Sequence, residues 1–261
     1  MKIVPLKTHT ITSEDTDIFN ILDKYVQKIS EKSVLAITSK IVSICEGRIV
    51  PIEKASNVSR VSGVSREEEK DALIVEESEY YLPRSINKYN VNITIANGIL
   101  GASAGIDESN GNGCYILWPK DPQKSANSIR EYLGRRFSVR DIGVIITDSK
   151  TTPLRWGVTG VSIAHSGFLA LNSYIGKKDL FGRPFVYEKV NVADSLSAAS
   201  VLSMGEGNES TPLAVISDIE HIEFQDRNPN EEELRELHVG LENDMYAPVL
   251  AFASWQKGKK S

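Results

Sequence analysis

Three short apolar runs constrain this chain most: Ser33-Val-Leu-Ala-Ile-Thr38, Gly143-Val-Ile-Ile-Thr147-Asp148-Ser149 and Pro212 to Ser217. Each is too short and too rich in β-branched residues for a helix, and each reads as a strand buried in a sheet. Helix-periodic segments separate them, which predicts an α/β (mixed α+β) fold. The second run ends on a carboxylate and a hydroxyl. The end of a buried strand is the usual place for a catalytic group in an α/β sheet.

A second stretch complements it. Gly101-Ala-Ser-Ala-Gly-Ile-Asp107-Glu-Ser-Asn110-Gly-Asn-Gly113 follows a strand of β-formers, Val91 to Ala96, and holds almost nothing that packs a core. Its glycines admit positive φ and close backbone approach. Asp107, Glu108, Ser109 and Asn110 offer hard oxygen donors of the kind Mg2+ or Mn2+ prefers. Two acidic loops converging on a metal are therefore expected.

Composition sets the bounds. The 261 residues, 41% hydrophobic and 25% charged, suffice for a core without disulfide staples. They fit one domain, with 158–190 assigned to a smaller subdomain. A net charge of −5 argues against a nucleic-acid partner, which calls for a basic face. Cys45 and Cys114 have no metal-ligand spacing and read as structural thiols of a cytoplasmic protein. The start, Met1-Lys-Ile-Val-Pro-Leu-Lys-Thr, is not a signal peptide, and no run approaches a membrane span, so no membrane partner is expected.

Along the chain, Lys2 to Leu6 reads as a strand leaving through Pro5-Leu6-Lys7-Thr8, whose cation and hydroxyl meet phosphate or face solvent. A helix is expected from Ser13, capped by Thr12 or Ser13. Ser39-Lys40 is a strand exit, with Lys40 either a point charge for phosphate or a solvated lysine. Glu46 to Pro51 reads as a turn into an edge strand, and 55–70 as a surface connection entering a helix that continues through Asp71 to Tyr81. Pro83-Arg84 ends that helix. Tyr115 to Trp118 reads as a strand, and Asp121-Pro122 starts a helix to Phe137. Thr151 to Gly157 is a loop with a candidate clamp at Arg155. Val158 to His165 is strand-like, His165 being a hydrogen-bonded structural histidine. Asp194 caps a small-residue helix, Ser195 to Met204, packed closely on a sheet. It ends in the glycine-flanked acidic loop Gly205-Glu206-Gly207-Asn-Glu209. A charged helix from Asn230 has Leu234, Leu237 and Leu241 on one face, and an apolar piece follows, Tyr246 to Trp255.

No P-loop, dinucleotide fingerprint or nucleophile elbow is found. Carboxylates and hydroxyls on glycine-rich loops, with lysines and arginines at strand ends, suit a metal-bound nucleoside triphosphate. Ala102-Ser-Ala-Gly-Ile-Asp107-Glu-Ser-Asn110 then brings a family into view. Asp121-Pro122-x-x-Ser125-Ala126-x-x-Ile129-Arg130, Val144-Ile-Ile-Thr-Asp148, Pro153-Leu-Arg155-x-Gly157, Asp179-x-x-Gly182-Arg183-Pro184, Val192-Ala-Asp194 and Met204-Gly205 follow in order. On these motifs the chain resembles the coenzyme F420-0:L-glutamate ligases.

The resemblance implies mixed sheets with flanking helices, an intertwined homodimer, and a GTP-dependent ligase joining L-glutamate to a deazaflavin acceptor through an acyl phosphate. It implies Mg2+ or Mn2+, with K+ as a helper, held by Asp107, Asp148, Ser149 and Glu206. Asp107, Asp148 and Arg155 form the catalytic set. Asn110 meets the nucleotide, and Pro5, Leu6, Lys7, Thr8, Ser39, Lys40, Met204, Gly205 and Gly207 surround it. Three departures bear on substrate: Ile44 stands where the family has a lysine, Asp148-Ser-Lys-Thr-Thr-Pro-Leu-Arg155 replaces D-T-x-G-R-P-W-R, and Tyr187-Glu188 stands where a threonine is common. Folate as acceptor and a non-catalytic nucleotide-binding protein are the alternatives.

Overall fold

A computed structural model describes residues 1–52 and 65–260. In chain order the elements are β1 (Lys2–Leu6), α1 (Ile18–Tyr25), β2 (Ser33–Thr38), α2 (Ser39–Cys45), β3 (Ile49–Pro51), α3 (Arg66–Glu77), β4 (Tyr80–Leu82), β5 (Ile93–Ala96), β6 (Ile99–Ala102) and β7 (Cys114–Ile116). The chain continues with α4 (Pro122–Phe137), β8 (Ile142–Thr151), β9 (Val158–Ser166), β10 (Leu171–Ser173), β11 (Lys189–Asn191), α5 (Val192–Met204), β12 (Leu213–Ser217), α6 (Glu231–Leu237), α7 (Ala247–Leu250) and β13 (Gln256–Lys257).

The apolar runs form the centre of a five-stranded mixed sheet, β1-β12-β2-β8-β9, in which β2 and β8 are parallel. Strand periodicity divides β2 between two cores. Leu35 and Ile37 join Leu22, Val42, Ile129 and Leu133 from α1, α2 and α4, while Val34 and Ala36 join Ala193, Leu196 and Val201 of α5. Both faces are thus covered, which is why these strands read as unbroken apolar runs. The narrow side chains of α5 do bring it close to the sheet: a Cβ at Gly160 of β9 would overlap the Ser197 carbonyl.

A second sheet, β13-β4-β5-β6, packs with α3 over a third core that includes Ile74, Ala104, Tyr115 and Trp118. The β5–β6 hairpin turns through Asn97 and Gly98, both at positive φ, as a two-residue primed turn requires. β3 pairs with β7, and β10 with β11.

Several boundaries differ from expectation. α1 starts at Ile18, because the Asp17 carboxylate, rather than Thr12 or Ser13, caps it by accepting from the Phe19 amide. Ser39-Lys40 is the first turn of α2, a short helix held by burial of Ile41 to Cys45. Part of the expected 55–70 connection, residues 55–64, lies outside the described residues. α3 ends at Glu77, since Tyr80 to Leu82 pair with β5 instead of extending the helix. Arg84 clamps the Asp71 carboxylate, so it serves packing. Asn191 caps α5, with Asp194 in its first turn. α6 stops at Leu237, which leaves Leu241 outside the helix. Residues 158–166 belong to the central sheet, and it is the small β10–β11 ladder that lies apart from it.

Candidate active site

Leu6 of β1, Thr38 of β2 and Asp148 of β8 reach one edge of the central sheet, where β12 begins at Leu213. A crevice outside the carboxyl ends of such strands is the favoured ligand position in α/β sheets. Here it is a cavity of about 460 Å3 lined by Thr8, Ser39, Lys40, Asp107, Asn110 and Asp148, with Ser149 and the loop Met204 to Thr211. Eleven of the fifteen expected site residues line it: Thr8, Ser39, Lys40, Asp107, Asn110, Asp148, Ser149, Met204, Gly205, Glu206 and Gly207. Pro5, Leu6 and Lys7 lead into it without lining it. Arg155 sits exposed in the turn between β8 and β9, away from the cavity.

The Asp107 loop is built by backbone strain and a short bridge. Ser103, Ala104 and Gly105 are all at positive φ, which turns the chain out of β6. Non-glycine residues held there cost free energy and persist where the surroundings over-determine them, as at functional sites. Here the buried Thr94 hydroxyl accepts from the Ala104 amide at 2.8 Å. Asp107 then exchanges both backbone hydrogen bonds with Ile116. Its carboxylate pairs with Lys40 at 2.6 Å and accepts from the amide and hydroxyl of Ser109. Burial pushes the Asp107 carboxyl upward, yet the Lys40 ion pair and the Ser109 hydrogen bonds leave it below its ordinary range. Glu108 is turned away, held by Arg66 and Lys70.

Asp148 has the opposite balance. Burial raises its carboxyl to about 6, only partly offset by the Trp118 indole N–H and the Ser149 amide. The Ser149 hydroxyl donates to Glu206, and Asn110 donates to the Gly207 carbonyl at 3.1 Å, so the acidic loops interlock. The Thr8 amide donates to the Ser210 carbonyl, closing the rim. β8 extends past Asp148 to Thr151 because β9 pairs with it after a register shift at Ile146/Thr147.

Among the described residues, no three His, Cys, Asp or Glu side chains gather as a metal-holding group. The donor chemistry nevertheless fits a hard divalent cation: Asp107, Asp148, Ser149 and Glu206 present oxygen atoms around one crevice. Asp148 forms no ion pair among the described residues, and the Lys40 charge acts on it only through space. Ile44 also faces this crevice. Cys45 is a free thiol whose burial pushes it up to about 12, unsuited to nucleophilic attack. His165 is buried outside the crevice, and burial lowers it to about 4. The expected hydrogen bonding is not found, because neither ring nitrogen has a hydrogen-bond partner among the described residues. The sequence reading missed His9, Thr10, Thr38 and Thr147, which also line the cavity, and Trp118, which touches Asp148 from behind it; nothing in a tryptophan after a short strand signals contact with a distant carboxylate.

An acidic crevice at the ends of buried strands defines an α/β protein built like an enzyme. The F420-0:Gamma-glutamyl ligase family model matches residues 5–218, and the chain belongs to that family. It is 34% identical over 223 residues to the coenzyme F420:L-glutamate ligase of Methanococcus maripaludis strain C7, covering 83% of this chain and 87% of the relative. The protein of the same name from Methanopyrus kandleri is 34% identical over 193 residues, 72% of this chain and 75% of its own. That of Archaeoglobus fulgidus is 32% identical over 225 residues, 83% and 87% of the two chains. The resemblance read from the motifs is thereby borne out, as is the mixed α/β fold. No helix among the described residues is long and apolar enough to cross a membrane.

Proposed function

We propose that this chain is a GTP- and divalent-cation-dependent γ-glutamyl ligase that joins L-glutamate to a phospholactyl deazaflavin of the coenzyme F420-0 type. The observation that carries this reading is the single crevice in which Asp107, Asp148, Glu206, Lys40 and Asn110 converge. The names borne by the relatives support the acceptor. In the reaction, a carboxylate oxygen of the acceptor attacks the γ-phosphorus, GDP leaves, and a mixed acyl phosphate forms. The glutamate amine then attacks the acyl carbon, phosphate leaves, and the ammonium proton passes to water.

Mg2+ or Mn2+, held by Asp107, Asp148, Ser149 and Glu206, offsets polyphosphate charge when bound. The chain's own groups do the rest. Lys40 carries a cation on a flexible stem into the crevice, able to exchange the Asp107 carboxylate for a phosphate oxygen. Asn110 ties the Asp107 loop to the Gly207 loop and fixes the width of the opening. Mass spectrometry with labelled glutamate, GTP or ATP, and deazaflavin or folate acceptors tests the reading. GTP-dependent incorporation into the deazaflavin is expected. Incorporation into folate alone, or GTP binding without product, would overturn it.

The same reading takes a second copy of the chain as partner. Leu154 and Trp156 in the β8–β9 turn, and Leu180, Phe181 and Tyr187 between β10 and β11, are each at least 90% exposed. Five large apolar side chains exposed on two such loops support this reading. The double variant Leu154→Asp/Phe181→Asp is expected to sediment as a monomer where the unmodified protein sediments as a dimer. A monomeric unmodified protein would refute the assignment.

A further inference from the structure

Trp118 stands where the two acidic loops meet. Its indole N–H donates to Oδ2 of Asp148, whose Oδ1 accepts from the Ser149 amide at 2.9 Å. Both carboxylate oxygens are thus tied from the protein side. Trp118 is 6% exposed and its indole lies close against Gly105, where an added Cβ would overlap its nitrogen and adjacent ring carbon. Any residue but glycine at 105 would therefore push the ring off Asp148. The backbone beneath is equally fixed. Arg48 donates to the Trp118 carbonyl at 3.0 Å and pairs with Glu77, while Ile116, two residues earlier, exchanges hydrogen bonds with Asp107. One short segment therefore grips the Asp107 loop through its backbone and the Asp148 strand through a side chain.

We propose that Trp118 is a positioning residue of the ligase site, its indole N–H fixing the Asp148 carboxylate relative to Asp107. The role rests on the proposed cation-dependent reading of the crevice. Partners that orient a metal-binding side chain typically contribute about 10–100-fold to metal affinity. Phenylalanine keeps most of the ring's bulk and removes the donor.

Mn2+ binding, followed by electron paramagnetic resonance and calorimetry, provides the test. Trp118→Phe is expected to bind Mn2+ roughly tenfold or more weakly than the unmodified protein. The further loss on adding Trp118→Phe to Asp148→Asn is expected to be close to none, because the donor acts through that carboxylate. Equal Mn2+ binding by Trp118→Phe and unmodified protein, or an undiminished loss in the Asp148→Asn background, would overturn the role of Trp118 alone. An unmodified protein that binds no Mn2+ would overturn the reading of the crevice and this role with it. Should Trp118→Phe not fold, the Trp156→Phe/Trp255→Phe protein retains Trp118 as its only tryptophan. Mn2+ is expected to quench its emission, and to do so much less when Asp148→Asn is added. Emission indifferent to saturating Mn2+ would likewise refute the contact.

Discussion

Asp107→Asn is expected to lower glutamate-dependent GTP hydrolysis severely and to leave the melting transition near that of the unmodified protein. Asparagine keeps the oxygen that accepts from the Ser109 amide and removes the charge that Lys40 and a divalent cation require. Losing one preorganised electrostatic group typically lowers turnover on the order of 10²–10³-fold. The fold loses little, because a partly exposed ion pair such as Lys40–Asp107 contributes at most about 1 kcal/mol. Turnover within a few-fold of normal in this variant would remove Asp107 from the catalytic set.

The second large effect has two parts of opposite sign. Asp148→Asn is expected to be as inactive as Asp107→Asn, yet more stable at neutral and alkaline pH. Burial lifts the Asp148 carboxyl from 3.8 to about 6, so the folded state holds a proton that the unfolded chain releases in that window. The charged carboxylate therefore costs stability that is absent below pH 3.8, grows between there and about 6, and is fully present above. Two pH units correspond to about 3 kcal/mol, an upper bound for the gain on removing the charge. Denaturant melts at pH 8 and at pH 4 check the sign: the variant gains at the first and not at the second. A variant less stable at pH 8 would show that the indole and Ser149 donors outweigh the burial cost.

The central sheet was legible because burial on both faces leaves its strands as continuous apolar runs, and α4 because Asp121-Pro122 marks its start in the chemistry of two residues. The misses share a physical origin, which is tertiary pairing overriding local pattern. Nothing in Ser39 to Cys45 favours a helix; burial against β2 and β8 makes it one. Tyr80 to Leu82 continue a helical period on paper but find a partner in β5. The Asn97-Gly98 turn carried a strong local signal that went unread. At the site, Asp148 was identifiable because it follows a buried apolar run, and Asp107, Asn110 and Glu206 because hard oxygen donors gather on glycine-rich loops. Arg155 carried the same kind of signal, but its place is set by how far the β8–β9 hairpin projects. Trp118 was invisible because its contact depends on a glycine thirteen positions earlier and a carboxylate thirty positions later.

Asp107 rides on chain leaving the β4–β6 sheet, and Asp148 on β8 of the central one. The gap between them is therefore a joint between two slabs with separate strand ladders, crossed by the side-chain bonds of Trp118 and Lys40, and slack in that seam registers chemically at the crevice. Warming ought to loosen the joint before either slab melts, so turnover should fade at temperatures where the circular-dichroism signal still reads as native.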